Sequence, residues 1–221
     1  MKLLEARNIT KKYNDTPILT DISFSIDEGM IYLIKGRSGG GKSTLLNICS
    51  FLEDPDSGEI FFEERSSASM SEKEKKLILR DKIGYIFQDY NLFENLSVYD
   101  NMKIYLLATC NMKDAEMDRL IEEKLSLVGL LQMKDRKAKL LSGGERQRVA
   151  LARVLLLDKK MIYADEPSAN IDDGNIAIIK ETFARIKENG TSLLVVSHDD
   201  VFDEISDRIF ILEGGSLHEK E

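Results

Sequence analysis

The sequence predicts an α/β protein in which a mostly parallel core sheet carries an N-terminal antiparallel β lobe and an inserted helical subdomain. A glycine-rich loop lies between an apolar strand and a helix, short apolar runs end in polar residues, and residues 89–157 have a helical pattern. A chain of 221 residues can bury one compound core but not a second domain of comparable size. We therefore expect a single domain over 1–221, with the α/β core and the β lobe in 1–88 and 158–221.

Composition and charge exclude several classes of protein. The formal net charge of −8 opposes a general attraction to nucleic acid, so an anion site must be formed locally. No uninterrupted apolar run is as long as a membrane-spanning helix, and the N-terminal segment lacks the apolar core of a signal peptide. Cys49 and Cys110 fall in separate helical stretches and are expected as buried or free thiols. We expect a cytosolic protein.

The N-terminal lobe is predicted from alternating apolar residues. Leu3–Asn8 and Ile18–Ile26 are expected as antiparallel strands joined by a turn at Asn14-Asp15. Tyr13 lies beside that turn, where its ring can stack on a nucleobase or cover the edge of the sheet. From spacing alone, the structural role is the stronger interpretation.

The glycine-rich loop fits the template G-x-x-x-x-G-K-[ST] for binding phosphate. It follows the apolar strand Met30–Ile34 and opens a helix from Lys42 to about Leu52. Glycines let backbone N–H groups turn inward around a β-phosphate, and the helix N-terminus adds partial positive charge. Lys42 offers a cation to the β- and γ-phosphates, and Ser43 offers a hydroxyl to Mg²⁺. The candidate nucleotide-binding residues of this loop are Gly36, Arg37, Ser38, Gly39, Gly40, Gly41, Lys42, Ser43 and Thr44.

The segment after this helix alternates turns with short regular elements. We predict a turn at Pro55–Gly58 and a strand at Glu59–Phe62. A polar surface loop at Arg65–Ser71 and a capped helix at Ser71–Arg80 are expected to follow. The apolar run Ile83–Phe87 is expected as a buried strand. It places Gln88 at the carboxyl end of the strand, where parallel α/β sheets present residues to ligands.

The pattern from Asp89 to about Lys139 is helical. Ser97-x-x-Asp100 starts one predicted helix, and Ala115–Val128 forms another. The aromatic stretch Phe87–Phe93, at the start of this region, supports two interpretations of equal weight. It docks a partner, or its phenylalanines pack in the core.

The run Leu141–Glu145 precedes an amphipathic helix expected over Arg146–Leu157. Ser142 and Glu145 have the spacing of a capping box, which is a sufficient structural role. The two glycines between them also let a second phosphate approach the positive end of the helix.

Two later strands end in polar residues. Met161–Ala164 is followed by Asp165 and Glu166, whose side chains point to opposite sides of the strand. Asp165 can hold Mg²⁺ through its water shell, and Glu166 can orient or deprotonate a water. Ser192–Ser197 brings His198, a candidate contact to a γ-phosphate, to the same sheet edge. The tail is expected to form a helix from Val201 onward, a strand at Arg208–Leu212 and a turn at Gly214-Gly215.

In this order, the phosphate loop, Gln88, Leu141–Glu145, Asp165–Pro167 and Ser197–Asp199 resemble the motifs of an ABC ATPase nucleotide-binding domain. The resemblance covers essentially the whole chain. It implies a P-loop NTPase fold with a RecA-like core, ATP and Mg²⁺ in the site, and ATP hydrolysis coupled to transport or conformational work.

The resemblance implies nucleotide and metal contacts at matching positions. Tyr13 matches the aromatic residue that stacks on adenine, and Lys42 and Ser43 match the phosphate and metal contacts. Gln88 matches the glutamine that senses metal and water, and Asp165 matches the acidic residue that helps to hold the metal.

It also implies the catalytic residues and those that act between subunits. Glu166 matches the catalytic base, and His198 matches the residue that contacts the γ-phosphate. The signature residues, which act on ATP held by a second subunit, match Ser142, Gly143, Gly144 and Glu145. The loop that communicates between the subunits matches Ser168, Asn170 and Asp172.

Partners and location follow from the same resemblance. Two such chains, expected to be identical, close head to tail over two Mg-ATP molecules and reopen after hydrolysis. An integral membrane permease docks near Gln88–Phe93 and holds the chain at the cytoplasmic face of the membrane. No nucleic acid is expected as a partner.

The segment Ser168–Asp172 narrows the resemblance to a subfamily. It is similar to the Thr-Gly-Asn-Leu-Asp form of macrolide-exporter, lipoprotein-releasing and cell-division ATPases, and Ile86–Val98 also resembles that group, which includes antimicrobial-peptide export. Glu145 replaces the more frequent glutamine but keeps the capping box. Three functions stay open: export of a peptide, drug or lipoprotein, control of a cell-wall hydrolase through a permease, and action on nucleic acid. The last is opposed by the lack of a coiled-coil insertion or basic arm.

Overall fold

The computed structural model describes residues 1–169 and 171–220. Its strands follow the predicted apolar runs. In chain order they are β1 (Lys2–Tyr13), β2 (Thr16–Asp27), β3 (Ile31–Lys35), β4 (Ser57–Phe62), β5 (Arg65–Ser66), β6 (Ile83–Ile86), β7 (Met161–Asp165), β8 (Ser192–Ser197), β9 (Arg208–Glu213) and β10 (Ser216–Glu219).

The larger sheet is the mostly parallel core sheet that the sequence predicts. Its six strands run in the order β10-β9-β3-β8-β7-β6. Every neighbouring pair from β9 to β6 is parallel, and β10 pairs antiparallel with β9 at the edge. Strands β7 and β8 are buried along their whole length, because elements cover both faces of the sheet.

The smaller sheet is the antiparallel lobe, in the order β2-β1-β4-β5. Strands β1 and β2 are longer than predicted because they continue to a tight turn. Asn14 and Asp15 adopt φ angles of 46° and 62° there, as both central residues of a type I′ hairpin turn must. The predicted loop Arg65–Ser71 is partly regular, since it contains β5 and a 3₁₀ turn at Ser67–Ser69.

Four of the six α-helices in the described residues begin directly after a side chain that caps them. The six are α1 (Lys42–Cys49), α2 (Glu72–Asp81), α3 (Val98–Thr109), α4 (Asp114–Leu127), α5 (Gly143–Val154) and α6 (Asp173–Glu188). Ser71 and Ser142 each form a complete capping box. Because Ser142 caps the backbone directly, α5 starts at Gly143 rather than at the predicted Arg146.

Two helical features differ from the sequence prediction. Helix α6 was not predicted, although Asp172 caps it and Ile179, Phe183 and Ile186 form its buried stripe. The helix predicted from Val201 is only a 3₁₀ turn at Asp203–Ile205. Phe202 is fully buried next to that turn, so the chain folds inward before a regular helix develops.

Apolar clusters lie on both sides of the core sheet. One joins the antiparallel lobe and α1 to the sheet, and the other joins the sheet to α3, α4, α5 and α6. Residues 89–157, all of which the structure describes, contribute α3 to α5 and no strand. Within 1–169 and 171–220, no helix is long and apolar enough to cross a membrane.

Candidate functional site

The glycine-rich loop joins the end of β3 to the start of α1, as its motif predicts. A Cβ atom at Gly36 would lie 2.5 Å from the backbone oxygen of Leu212, which is closer than real Cβ atoms approach. Gly41 has a φ of 93°, and a Cβ atom there would lie 2.9 Å from Ile18 Cγ2. The close backbone oxygen at Gly36, and the left-handed φ together with the close side chain at Gly41, therefore require glycine at both ends of the loop.

A cavity of about 360 Å³ lies over this loop and gathers most of the predicted site residues. Its lining combines one apolar residue of the lobe, Ile18, with the ends of three core strands. The predicted residues that line it are Tyr13, Ser38, Gly39, Gly41, Lys42, Ser43, Thr44, Gln88, Glu166 and His198. Gly36, Arg37 and Gly40 belong to the same loop but do not line the cavity.

Lys42 is the buried cation of the site. Its side chain is 5% exposed, and Nζ donates to the backbone oxygens of Gly36 at 2.9 Å and Arg37 at 3.1 Å. Nζ also lies 3.1 Å from Glu166 Oε1. The ammonium therefore has acceptors for all three of its N–H groups.

Glu166 joins Lys42 to His198. The Oε2 atom of Glu166 lies 2.8 Å from His198 Nδ1 and accepts from the backbone N–H of His198 at 3.3 Å. Glu166 has a φ of 46°, a left-handed conformation that costs about 1–2 kcal/mol for residues other than glycine. Its backbone N–H donates to Val196 at 2.9 Å, which holds the chain in this turn.

Ser43 and Asp165 form a hydrogen-bonded pair beneath the cavity. Ser43 Oγ donates to Asp165 Oδ1 at 3.0 Å. Burial raises the pKa of Asp165, and the Ser43 hydrogen bond partly opposes this rise. No cluster of three or more acidic, histidine or cysteine ligands is present in the described part of the chain. A hydroxyl, one carboxylate and the amide of Gln88 are oxygen donors of the kind that suit Mg²⁺, which usually retains several waters.

Tyr13 lies on the lobe side of the cavity. Its ring is 45% exposed, and its hydroxyl donates to Glu53 Oε1 at 2.6 Å. This hydrogen bond raises the pKa of Tyr13 above the ordinary value for tyrosine. Lys11 Nζ lies 5.7 Å from the ring centroid. Tyr13 lines the cavity and is partly exposed, so both interpretations of this residue are compatible with its position.

The segment after Gln88 separates the two interpretations of its aromatic residues. Phe87 stacks on Tyr85 with ring centroids 4.1 Å apart, whereas Phe93 is 56% exposed. Phe87 is therefore a packing residue, and Phe93 is available at the surface. Both lie beside a mostly apolar cavity of about 540 Å³ between α2 and α3.

The predicted signature residues lie outside the cavity over the glycine-rich loop. Ser142 Oγ accepts from the Glu145 backbone N–H at 3.2 Å, and Glu145 Oε2 accepts from the Ser142 N–H at 2.7 Å. Gly144 packs so closely on Asn175 of α6 that a Cβ atom would lie 2.4 Å from Asn175 Cγ. Ser142, Gly143, Gly144 and Glu145 do not line the cavity of their own chain.

The predicted communication loop lies between the site and α6. Ser168 is buried, and its hydroxyl donates to Asp199 Oδ2 at 3.1 Å. Asp172 accepts from the Asn175 backbone N–H at 3.1 Å and so caps α6. Asn170 lies outside the described residues.

Three contacts at the site were not predicted. Arg153 of α5 is largely buried and donates to the backbone oxygens of Tyr90 at 2.9 Å and Asn91 at 2.5 Å. The second contact is between Asn175 and Gly144. The third joins Lys35 to Asp203, at 3.0 Å, in the segment that follows His198. The sequence contained a signal for the first contact alone, namely an arginine on the apolar side of α5. The other two contacts join residues that are far apart in the chain, and no local pattern marks them.

Comparison with known proteins places the chain in a family. Residues 19–169 match the family described as ABC transporter. The phosphonates import ATP-binding protein PhnC of Fusobacterium nucleatum is 37% identical over 97% of this chain and 90% of its own length. The lipoprotein-releasing system ATP-binding protein LolD of Aquifex aeolicus is 36% identical over 98% of this chain and 96% of its own length.

A solved structure agrees in fold over nearly the whole chain. The ATP-binding cassette MJ0796, solved as a post-hydrolysis dimer bound to ADP and Pi, has a TM-score of 0.91 at 31% identity. The match covers 99% of this chain and 98% of that one. The predicted fold class is therefore confirmed, and this chain belongs to the ABC transporter family as an ATP-binding cassette, an ATPase.

Proposed function

We propose that this chain hydrolyses Mg-ATP as half of a head-to-tail homodimer and thereby drives a separately encoded integral membrane permease. One observation carries the proposal. Lys42, Glu166 and His198 meet at one cavity, while the signature Ser142–Glu145 of the same chain lies elsewhere. A second copy can supply its signature to the open side of that cavity.

The nucleotide is held by groups of the phosphate loop. Backbone N–H groups between Gly36 and Thr44 and the N-terminus of α1 bind the β-phosphate. Lys42 provides the positive charge for the β- and γ-phosphates. Tyr13 stacks on the base through its exposed face, a contact that discriminates poorly between purines.

The oxygen donors at the site fit Mg²⁺. Ser43, Asp165 and Gln88 are the residues that would hold the ion, with waters filling the rest of its shell. When bound, the ion neutralises negative charge on the β- and γ-phosphate oxygens. The Ser43–Asp165 hydrogen bond keeps both groups in place beforehand.

Hydrolysis uses Glu166 and His198. Glu166 orients the attacking water and accepts its proton, and His198 contacts the γ-phosphate. From the partner subunit, the backbone N–H groups of Gly143 and Gly144 reach the same γ-phosphate at a helix N-terminus, next to the capping box of Ser142. Ser168, Asn170 and Asp172 form the loop that contacts the partner and reports its state.

The permease docks on the apolar cavity beside Phe93. An exposed phenylalanine at the rim of an apolar concave surface is a suitable anchor for a partner protein. The loop that begins at Gln88 forms part of the same rim, so docking and the nucleotide site share one segment. This contact keeps the chain at the cytoplasmic face of the membrane.

We propose export or release as the transport activity, with an antimicrobial peptide, a drug or a lipoprotein as cargo. Relatives include a lipoprotein-releasing ATP-binding protein and, at 33% identity, the macrolide export ATP-binding/permease protein MacB of Chlorobaculum tepidum. The phosphonates import relative supports the opposite direction. Co-purification of the permease, followed by cargo efflux from cells, decides between them.

Glu166→Gln tests the hydrolysis mechanism. We expect a fall in steady-state ATP hydrolysis of about 10²-fold or more and a dimer that persists with ATP in size-exclusion chromatography. Glu181→Gln, a substitution of an exposed α6 glutamate, is the matched control and should keep the wild-type rate. Unchanged hydrolysis by Glu166→Gln would count against the mechanism.

A further inference from the structure

The carboxylate of Glu166 occupies a position between the two residues proposed to hold the γ-phosphate. Its Oε1 atom lies 3.1 Å from Lys42 Nζ, and its Oε2 atom lies 2.8 Å from His198 Nδ1. The Glu166 side chain is only 10% exposed. A negatively charged group already bridges the cationic end of the site.

Lys42 has no N–H group left for a phosphate oxygen in this arrangement. Its other two acceptors are the backbone oxygens of Gly36 and Arg37. Those carbonyls are fixed by the loop and carry no net charge, whereas the Glu166 carboxylate repels phosphate and can leave Lys42 by a change of its side-chain torsions alone. A γ-phosphate therefore displaces Glu166 rather than the loop.

The backbone aims this carboxylate at Lys42. Glu166 holds a φ of 46° and donates its N–H to Val196 at 2.9 Å. The neighbouring carboxylate, Asp165, is directed instead to Ser43. The contact between Glu166 and Lys42 is thus set by the turn after β7 and not by the free rotation of an exposed side chain.

We propose that Glu166 sets the nucleotide preference of the single chain by competing with the γ-phosphate for Lys42 and His198. The β-phosphate of ADP is held mainly by the loop amides, so ADP competes with Glu166 less than ATP does, because the γ-phosphate of ATP takes the position between Lys42 and His198. ATP binds only when Glu166 moves away, and a lone chain therefore gains little from the third phosphate. The inference rests on the proposed function, from which it takes the γ-phosphate contacts.

The test is the ratio of ATP affinity to ADP affinity in single chains. Calorimetric titrations of wild type, Glu166→Gln and Glu166→Ala are made with Mg²⁺ and with EDTA, at chain concentrations where light scattering reports one chain. Glu181→Gln is the control, because it removes one carboxylate charge at an exposed position of α6 that contacts neither Lys42 nor His198. Affinities must not change with chain concentration, which excludes a contribution from dimers.

We expect Glu166→Gln and Glu166→Ala to tighten ATP binding on the order of tenfold, the effect of removing one nearby like charge at a partly screened site. ADP affinity stays within about twofold, and Glu181→Gln changes the ratio by less than about twofold. An unchanged ratio in both Glu166 variants, or equal tightening of ADP, overturns the inference. Failure of every form, wild type included, to bind either nucleotide overturns the proposed function as well.

Discussion

Replacing Gly144 by alanine tests whether the signature is positioned by α6. The added Cβ atom would lie 2.4 Å from Asn175 Cγ, 2.5 Å from Nδ2 and 2.9 Å from Cβ. Asn175 cannot move aside freely, because its backbone N–H and its side-chain amide both donate to Asp172. Overpacking of this kind costs about 1–3 kcal/mol. Alanine recovers less than about 1 kcal/mol in helix propensity, so the net loss is about 1–2 kcal/mol.

The measurement is a double-mutant cycle followed by urea unfolding and ATP hydrolysis. Asn175→Ala keeps the Cβ atom but removes the two closer atoms, so it makes room for the Gly144→Ala methyl group. The double variant should recover most of the stability and of the hydrolysis lost by Gly144→Ala, with a coupling energy of at least about 0.5 kcal/mol. A stable Gly144→Ala variant, or simple additivity of the two changes, would refute the positioning of the signature by α6.

Two further predictions concern buried charge. Burial raises the pKa of Asp165, so its ionised form costs stability at neutral pH. That stability is regained as the pH falls through the raised pKa, and the recovery is complete below about 4. Asp165→Asn should therefore raise the melting temperature at pH 7 while still accepting from Ser43, and the gain should vanish near pH 3; a gain that is equal at both pH values would contradict this reasoning. Arg153→Met removes the donors to the backbone oxygens of Tyr90 and Asn91 and should lower the free energy of unfolding by about 2 kcal/mol, measured by urea unfolding. Arg153→Lys should lose less, because one ammonium bond can remain.

Local features of this protein could be predicted from the sequence alone. The apolar runs gave the core strands, and the spacing of serine and glutamate gave the capping boxes at Ser71 and Ser142. The positions of polar residues at strand ends predicted that His198 would lie at the sheet edge that carries Gln88 and Asp165, and Gln88 and His198 do line one cavity. These predictions succeed because parallel strands share one carboxyl edge and because a cap depends only on its own few residues.

Contacts between distant segments could not be predicted in the same way. The Lys42–Glu166 ion pair joins the start of α1 to the end of β7, and the Gly144–Asn175 contact joins two helix starts. One sequence contains no information on which pairs approach to within 3 Å. Helix α6, which was not predicted, is a different case, since its cap at Asp172 and its apolar spacing were both present in the sequence.

Helix α5 gives these long-range contacts a common physical basis. Its 12 residues span about 18 Å, and intrahelical hydrogen bonds make it far stiffer than the loops at its ends. At the first turn Gly144 packs on α6, and near the last turn Arg153 holds the loop after Gln88. A buried arginine bound only to neutral carbonyls, with its pKa lowered by burial, is costly to maintain. This cost is explained if the loop after Gln88 must be held in a fixed position relative to the signature. An apolar side chain in place of Arg153 would leave that loop without its hydrogen bonds to α5.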